Sequence, residues 1–172
     1  MASCVYIGLG SNLAEPIEQV LHAIDDIAAL SDATLLAASS LYQTPPMGPQ
    51  DQPHYINAVV KLATTLSPRV LLKQLQAIET RRGRTRDTGR WGARTLDLDI
   101  LVYEGVTSDE PILTLPHPGL ALRSFVLYPL LEIEPLIYIE SLGSIQPLIE
   151  QLAEPCPRII RCKSLDIQPS VC

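Results

Sequence analysis

Polar and apolar side chains alternate from Thr95 to Ile100, at the start of an apolar run that continues to residue 103. Read as a strand, Leu96, Leu98, Ile100 and Val102 point one way, and Thr95, Asp97 and Asp99 the other. Apolar runs predict further strands at 3–10 and 55–64, and a less regular one at 33–44. A different period marks residues 15–30, where Ile17, Val20, Leu21, Ile24, Ile27 and Leu30 recur at helical spacing, with Pro16 in the first turn. Residues 67–81 open on Ser-Pro and place Leu71, Leu75 and Ile78 on one helical face. The run 104–115 predicts a turn and one more short strand, 124–133 suits helix or strand, and 144–153 predicts a short helix. The order strand, helix, strand, strand, helix, strand predicts an α+β fold. Its core is a ferredoxin-like βαββαβ unit, a mainly antiparallel sheet with helices packed on one side, plus an added hairpin. No repeat or linker divides the chain, so residues 1–172 read as a single domain with an irregular tail over 154–172.

The length of 172 residues and an apolar content of 47% suit one domain with a sizeable core. A net charge of −6 argues against a chain that coats nucleic acid. No apolar run approaches the ~20 residues of a membrane span, and the start MASCVYIGLG lacks the basic n-region of a secretory signal. The cysteines (Cys4, Cys156, Cys162 and Cys172) show neither CxxC nor zinc spacing and read as reduced thiols of a cytoplasmic protein. Pairing of Cys156 with Cys162 stays open.

Charge is not spread evenly. The segment RRGRTRDTGRWGAR (81–94) holds six of the ten arginines (Arg81, Arg82, Arg84, Arg86, Arg90 and Arg94), which less Asp87 gives +5. The planar arginine fork suits phosphate oxygens. A solvated basic loop, or stacking of a nucleobase on Trp91, are the other readings of this composition. The loop ends directly before Asp97 and Asp99, which on one strand face lie roughly 7 Å apart and repel by about 2 kcal/mol at an effective dielectric near 20. Carboxylates that hold Mg²⁺ on a polyphosphate, with arginines neutralising the remaining charge, solve both problems together. An Asp–Arg salt bridge at a sheet end is the plainer solution. The chain has neither GxxxxGK[ST] nor the protein-kinase motif set.

The segment YQTPPMGPQDQPHYIN (42–57) contains four prolines, which stiffen a loop that can present fixed groups to a small ligand. Asn57 follows it and offers both a donor and an acceptor to a heterocycle edge. Tyr55 and the single phenylalanine, Phe125, are candidates to sandwich a flat molecule.

Taken together, GLGSNL (8–13), YQTPPMGPQDQPHYINAVV (42–60), RWGARTLDLDIL (90–101), and LPHP with RSFVLYPLLEI (115–133) resemble the 6-hydroxymethyl-7,8-dihydropterin pyrophosphokinases. That family moves pyrophosphate from ATP to a pterin alcohol in folate biosynthesis. The resemblance spans about residues 4–135 and leaves the last 35 or so uncovered. It implies that Asp97 and Asp99 bind two Mg²⁺ ions, and that Arg84 and Arg94 are catalytic arginines on the ATP phosphates. Arg86, Arg90 and Trp91 would share their loop and contact ATP, as would Gln76, Glu79, Ile100, Thr114, His117 and Arg123. Thr44, Pro45, Pro46, Met47, Tyr55, Asn57 and Phe125 would form the pterin pocket. From its charge, its cysteines and the lack of a long apolar run, the protein is expected to be a cytoplasmic monomer with no nucleic-acid or membrane partner. Ala93, Ile112 and Gly119 depart from the family's pattern near the nucleotide.

Overall fold

The computed structural model describes residues 1–45, 53–83 and 96–161. Pro46, Met47, Arg84, Arg86, Arg90, Trp91 and Arg94 lie outside the described residues. A sheet of six strands organises the rest. It is built from β1 (Ser3–Ser11), β2 (Ala33–Ala38), β3 (Leu41–Thr44), β4 (Tyr55–Thr64), β5 (Asp97–Tyr103) and, from near the C-terminus, Arg158–Arg161. The path runs Arg158–Arg161, β3, β4, β1, β5, with β2 also paired to β4, and every pairing is antiparallel. With α1 (Pro16–Ala28) and α2 (Pro68–Arg81) as the two crossovers, this is the ferredoxin-like α+β core.

Both helices begin at a proline whose missing N–H costs nothing there. Ser67 caps α2, its Oγ accepting from the Val70 N–H at 3.4 Å. Val20, Ile24 and Ile27 of α1 and Leu71, Leu75 and Ile78 of α2 pack onto one sheet face, against Val5, Ile7, Leu9, Val60 and Leu62. Helices were expected on one side only. The run 124–133 forms α3 (Ser124–Ile133), and it packs on the opposite face, where Val126, Leu127 and Leu130 meet Tyr6, Val59 and Leu101. The outer chain adds two hairpins: β6 (Ser108–Glu110) with β7 (Leu113–Leu115), and β8 (Tyr138–Ile139) with β9 (Gly143–Ser144). Residues Gln146–Gln151 form a 3₁₀ turn where a short helix was expected.

Three departures from the sequence expectation have local causes. The run 33–44 is two strands, because Ser39 and Ser40 turn inward between them. Ser39 exchanges hydrogen bonds with Val59, and Ser40 donates from N and Oγ to Glu132 of α3 at 2.7 and 2.5 Å. In β5 the alternation breaks at a bulge. Tyr6 faces Val102 and Ile7 faces Ile100, so Leu101 is the extra residue and Val102 turns to the α3 side, away from Leu98 and Ile100. Within the tail expected to be irregular, Arg158–Arg161 forms β10 and pairs with β3, covering an edge that would otherwise expose unpaired backbone groups.

On the α3 face, Glu134 accepts from Lys61 Nζ at 2.6 Å and from the Tyr6 hydroxyl at 3.0 Å. The Lys61 hydrogen bond, with that of Tyr6, holds its carboxyl below the usual value of 4.5 despite partial burial. A carboxyl lowered by folding stabilises above its unfolded pKa and loses that contribution as pH falls through the folded one. Glu134→Gln is therefore expected to cost about 1 kcal/mol at pH 7. Urea titrations across pH should show the gap closing below pH 4.5; a gap independent of pH would exclude this origin. Among the described residues no helix is long and apolar enough to cross a membrane.

Candidate functional site

The central strand β1 carries its large side chains, Val5, Ile7 and Leu9, into the core beneath α1 and α2. Its opposite face reads Tyr6, Gly8, Gly10. Tyr6 packs with α3, and the two glycines then leave a stretch of bare backbone on the α3 face. The register decides what stands beside it. Gly10 lies between Asn57 of β4 and Asp97 of β5, and Gly8 between Val59 and Asp99. A cavity of about 130 Å³ opens over these glycines. An amide borders one side of its floor and two carboxylates the other.

Asp97 and Asp99 are half-buried at this floor, as the alternation through residue 100 predicted. Thr44, Pro45, Tyr55, Asn57 and Phe125 line the same cavity, and so do His117 and Arg123. Gln76, Glu79, Ile100 and Thr114 are not among its lining residues. The Ile100 side chain belongs to the core under α1 and α2. The Thr114 hydroxyl donates to the Glu110 carbonyl at 3.0 Å, and Glu79 is buried at 3% exposure. Gly8, Gly10, Val59, Leu101 and Val126 line the cavity without having been singled out from sequence. For the glycines a signal existed: GLG interrupts an apolar strand at the two positions that share a face.

Hydrogen bonds orient the polar groups. Asn57 Nδ2 donates to Thr44 Oγ1 at 3.0 Å, with both residues buried, and Asn57 Oδ1 lies over Gly10. Asn12 Nδ2 donates to the Pro53 carbonyl at 3.2 Å, tying the end of β1 to the approach to β4. His117 is fixed twice: its backbone N–H donates to the Leu101 carbonyl at 2.8 Å, and its ring Nδ1 accepts from the Gly119 backbone N–H at 3.0 Å. Accepting at Nδ1 puts the proton of the neutral ring on Nε2. Burial lowers the His117 pKa below 6.5, the Arg123 charge adds to this, and Asp97 opposes it. His117 is thus a neutral donor at pH 7. The Arg123 guanidinium stacks 5.7 Å from the centre of the Phe125 ring, joining a cation to the flat apolar wall.

Among the described residues no three His, Cys, Asp or Glu side chains gather as a self-sufficient metal site. Two carboxylates beside open space suit Mg²⁺, which takes one or two carboxylates and completes its shell with water and phosphate oxygens.

The family model for 7,8-dihydro-6-hydroxymethylpterin-pyrophosphokinase matches residues 6–135. A 2-amino-4-hydroxy-6-hydroxymethyldihydropteridine pyrophosphokinase from Haemophilus influenzae is 47% identical over 149 residues, 87% of this chain and 92% of the relative. The protein of the same name from Pseudomonas aeruginosa is 50% identical over 135 residues, 78% of this chain and 83% of its own. Among solved structures, wild-type Plasmodium falciparum HPPK-DHPS with pteroate superposes with a TM-score of 0.69 at 14% identity, over 88% of this chain and 42% of that one. At that identity the likeness concerns the fold.

Proposed function

The chain belongs to the 7,8-dihydro-6-hydroxymethylpterin-pyrophosphokinase family, and we propose that it performs the family's reaction at the glycine-floored cavity. It transfers pyrophosphate from ATP to 6-hydroxymethyl-7,8-dihydropterin in folate synthesis. The observation that carries the assignment of residues is the register of β4, β1 and β5, which sets an amide and two carboxylates on opposite sides of bare backbone. A heterocycle seated on the Asn57 side has its substituent directed across Gly8 and Gly10 toward the phosphate side.

In this reading the pterin hydroxymethyl oxygen attacks the β-phosphorus in line. The new O–Pβ bond forms as the bond from Pβ to the α-bridging oxygen breaks. AMP leaves with that electron pair, and the hydroxyl proton is lost to solvent. Asn57, oriented by Thr44, accepts from a ring N–H, while Tyr55 and Phe125 bound the ring faces. Asp97 and Asp99 would hold two Mg²⁺ ions, which when bound neutralise phosphate oxygens and favour ionisation of the alcohol. His117 donates from Nε2 and Arg123 supplies positive charge to the phosphates. Arg84 and Arg94 are assigned to the same phosphates as catalytic groups. Arg86, Arg90, Trp91, Gln76, Glu79 and Thr114, with Ile100 by its backbone since its side chain is in the core, are assigned the remaining ATP contacts, and Pro45, Pro46 and Met47 the pterin wall. The same reading makes the protein a single-domain monomer of the cytoplasm acting on two small molecules. The net charge of −6 supports the omission of nucleic acid from its partners.

Incubation with Mg-ATP and 6-hydroxymethyl-7,8-dihydropterin, with nucleotides separated by chromatography, should yield AMP and pterin pyrophosphate in equal amounts. ADP in place of AMP would assign a simple phosphoryl transfer, and no pterin-dependent turnover would sink the reading.

A further inference from the structure

α3 starts on an unfavourable residue. The first N–H groups of a helix have no partner within it, and the position just before the first turn favours Ser, Thr, Asp or Asn, whose side chains accept from them. In α3 that position is Arg123, and its side chain makes no capping hydrogen bond. A guanidinium has donors only, and its charge has the same sign as the positive end of the helix dipole. Ser124, the first residue of α3, is 4% exposed, which leaves water little access to its N–H. A buried donor without an acceptor is costly.

The acceptor comes from 30 residues further along the chain: Glu154 Oε2 accepts from the Ser124 N–H at 2.9 Å. A carboxylate here satisfies the donor and offsets the positive helix end at once. Glu154 is exposed, so its placement depends on the chain around it, and that chain is pinned on both sides. Before it, Leu148, Ile149 and Leu152 pack against the cluster that holds Val126, Leu127 and Leu130 of α3. After it, Pro157 is buried and β10 pairs with β3, Arg158 facing Gln43 and Ile159 facing Tyr42. The segment 152–161 therefore ties together two walls of the cavity. One is the start of α3, with Arg123 and Phe125, and the other is the end of β3, at Thr44. All of this segment lies beyond residues 6–135, the part matched by the family model.

We propose that Glu154 is a positioning residue for the pterin wall: acting through the Ser124 amide, it holds the start of α3 so that Phe125, and the Arg123 stacked on it, face the cavity. The inference rests on the reading of Phe125 and Arg123 given above. It goes beyond that reading by giving the C-terminal segment a part in substrate binding.

Three variants test it. Glu154→Ala removes the acceptor, and Glu154→Gln keeps an oxygen in its place. Glu150→Ala removes the charge of a nearby exposed carboxylate and leaves the bond to Ser124 intact. Amide hydrogen exchange at Ser124 should be about tenfold faster in Glu154→Ala than in the wild type. Its KM for the pterin should rise about tenfold, the loss expected when a pocket wall no longer fits, with kcat within about threefold. Glu154→Gln and Glu150→Ala should stay near the wild type in both exchange and KM. A lower melting temperature of Glu154→Ala with unchanged pterin KM would reduce Glu154 to a stabilising cap and overturn the proposal. Unchanged Ser124 exchange, a Glu154→Gln no better than Glu154→Ala, or a KM raised equally by Glu150→Ala would overturn it too. Should Glu154→Ala not fold, Glu154→Asp, whose shorter side chain falls short of Ser124, takes its place with the same expected values. A wild type without pterin-dependent turnover would count against the reaction itself, and exchange at Ser124 would still decide whether Glu154 holds α3.

Discussion

Asp97→Ala and Asp99→Ala are each expected to lower kcat by about 10²–10³-fold or more, with the fold retained. Removing one preorganised electrostatic group from a reacting centre typically costs about that much, or roughly 3–4 kcal/mol of barrier. The loss should fall here because these carboxylates are the acidic side chains at the cavity floor, paired in register with Gly10 and Gly8. Stability should hardly suffer. Both side chains are half-buried on the α3 face, while the strand is held by its backbone ladder to β1 and by the core residues Leu98 and Ile100. Deleting one carboxylate also relieves the repulsion of about 2 kcal/mol between the two. Asp97→Asn and Asp99→Asn separate charge from shape, because the amide preserves the volume but gives up the negative charge that would hold a cation. Rates of AMP formation, read beside far-UV circular dichroism and thermal melting, test this. Full activity in either alanine variant would remove the metal role assigned to that residue.

The placement of these aspartates was legible in the alternation of 94–100, because a strand with one buried face leaves no freedom in which side chain goes where. The same alternation misplaced Val102. A bulge depends on how many residues the partner strand supplies, and that count lies in β1, not in β5. The helices α1 and α2 were legible because apolar period and proline starts agree locally. The break at Ser39–Ser40 was not, since it is stabilised by Val59 and by Glu132, 20 and 92 residues away. The side of the sheet taken by α3 was hidden for a related reason. Its residues are apolar almost throughout, so the sequence names no outer face to orient it. The candidate site divided in the same way. Residues whose chemistry is in the side chain (Asp97, Asp99, Asn57, His117 and Arg123) could be picked out from sequence and meet at the cavity. Gly8 and Gly10 contribute by lacking a side chain, and that has meaning only once the register shows what stands on either side.

That lack of a side chain carries the second large effect: Gly10→Val is expected to raise the KM for the pterin by about 10- to 100-fold while the protein still folds. A Cβ at Gly10 would lie 3.0 Å from Asn57 Oδ1, closer than nearly all real Cβ contacts. Asn57 has little room to retreat, being 5% exposed and held at 3.0 Å to Thr44, itself 8% exposed. Moving the amide gives up that hydrogen bond and turns the acceptor away from a ring N–H, and the two methyl groups of valine then occupy floor that the heterocycle needs. Misfit of this size in a closely fitting pocket is worth about 1–3 kcal/mol. Gly10 does not have a positive backbone φ, so the strand itself accepts a side chain, and valine favours strands. At Gly8 a Cβ would meet only the flexible end of Leu101 at 3.4 Å, an ordinary contact, so Gly8→Ala should have the smaller effect. Titration of the pterin into both variants by calorimetry, with ATP affinity measured alongside, checks the ordering. Equal pterin affinity in Gly10→Val and the wild type would mean that the heterocycle does not sit over the glycines between Asn57 and the aspartates.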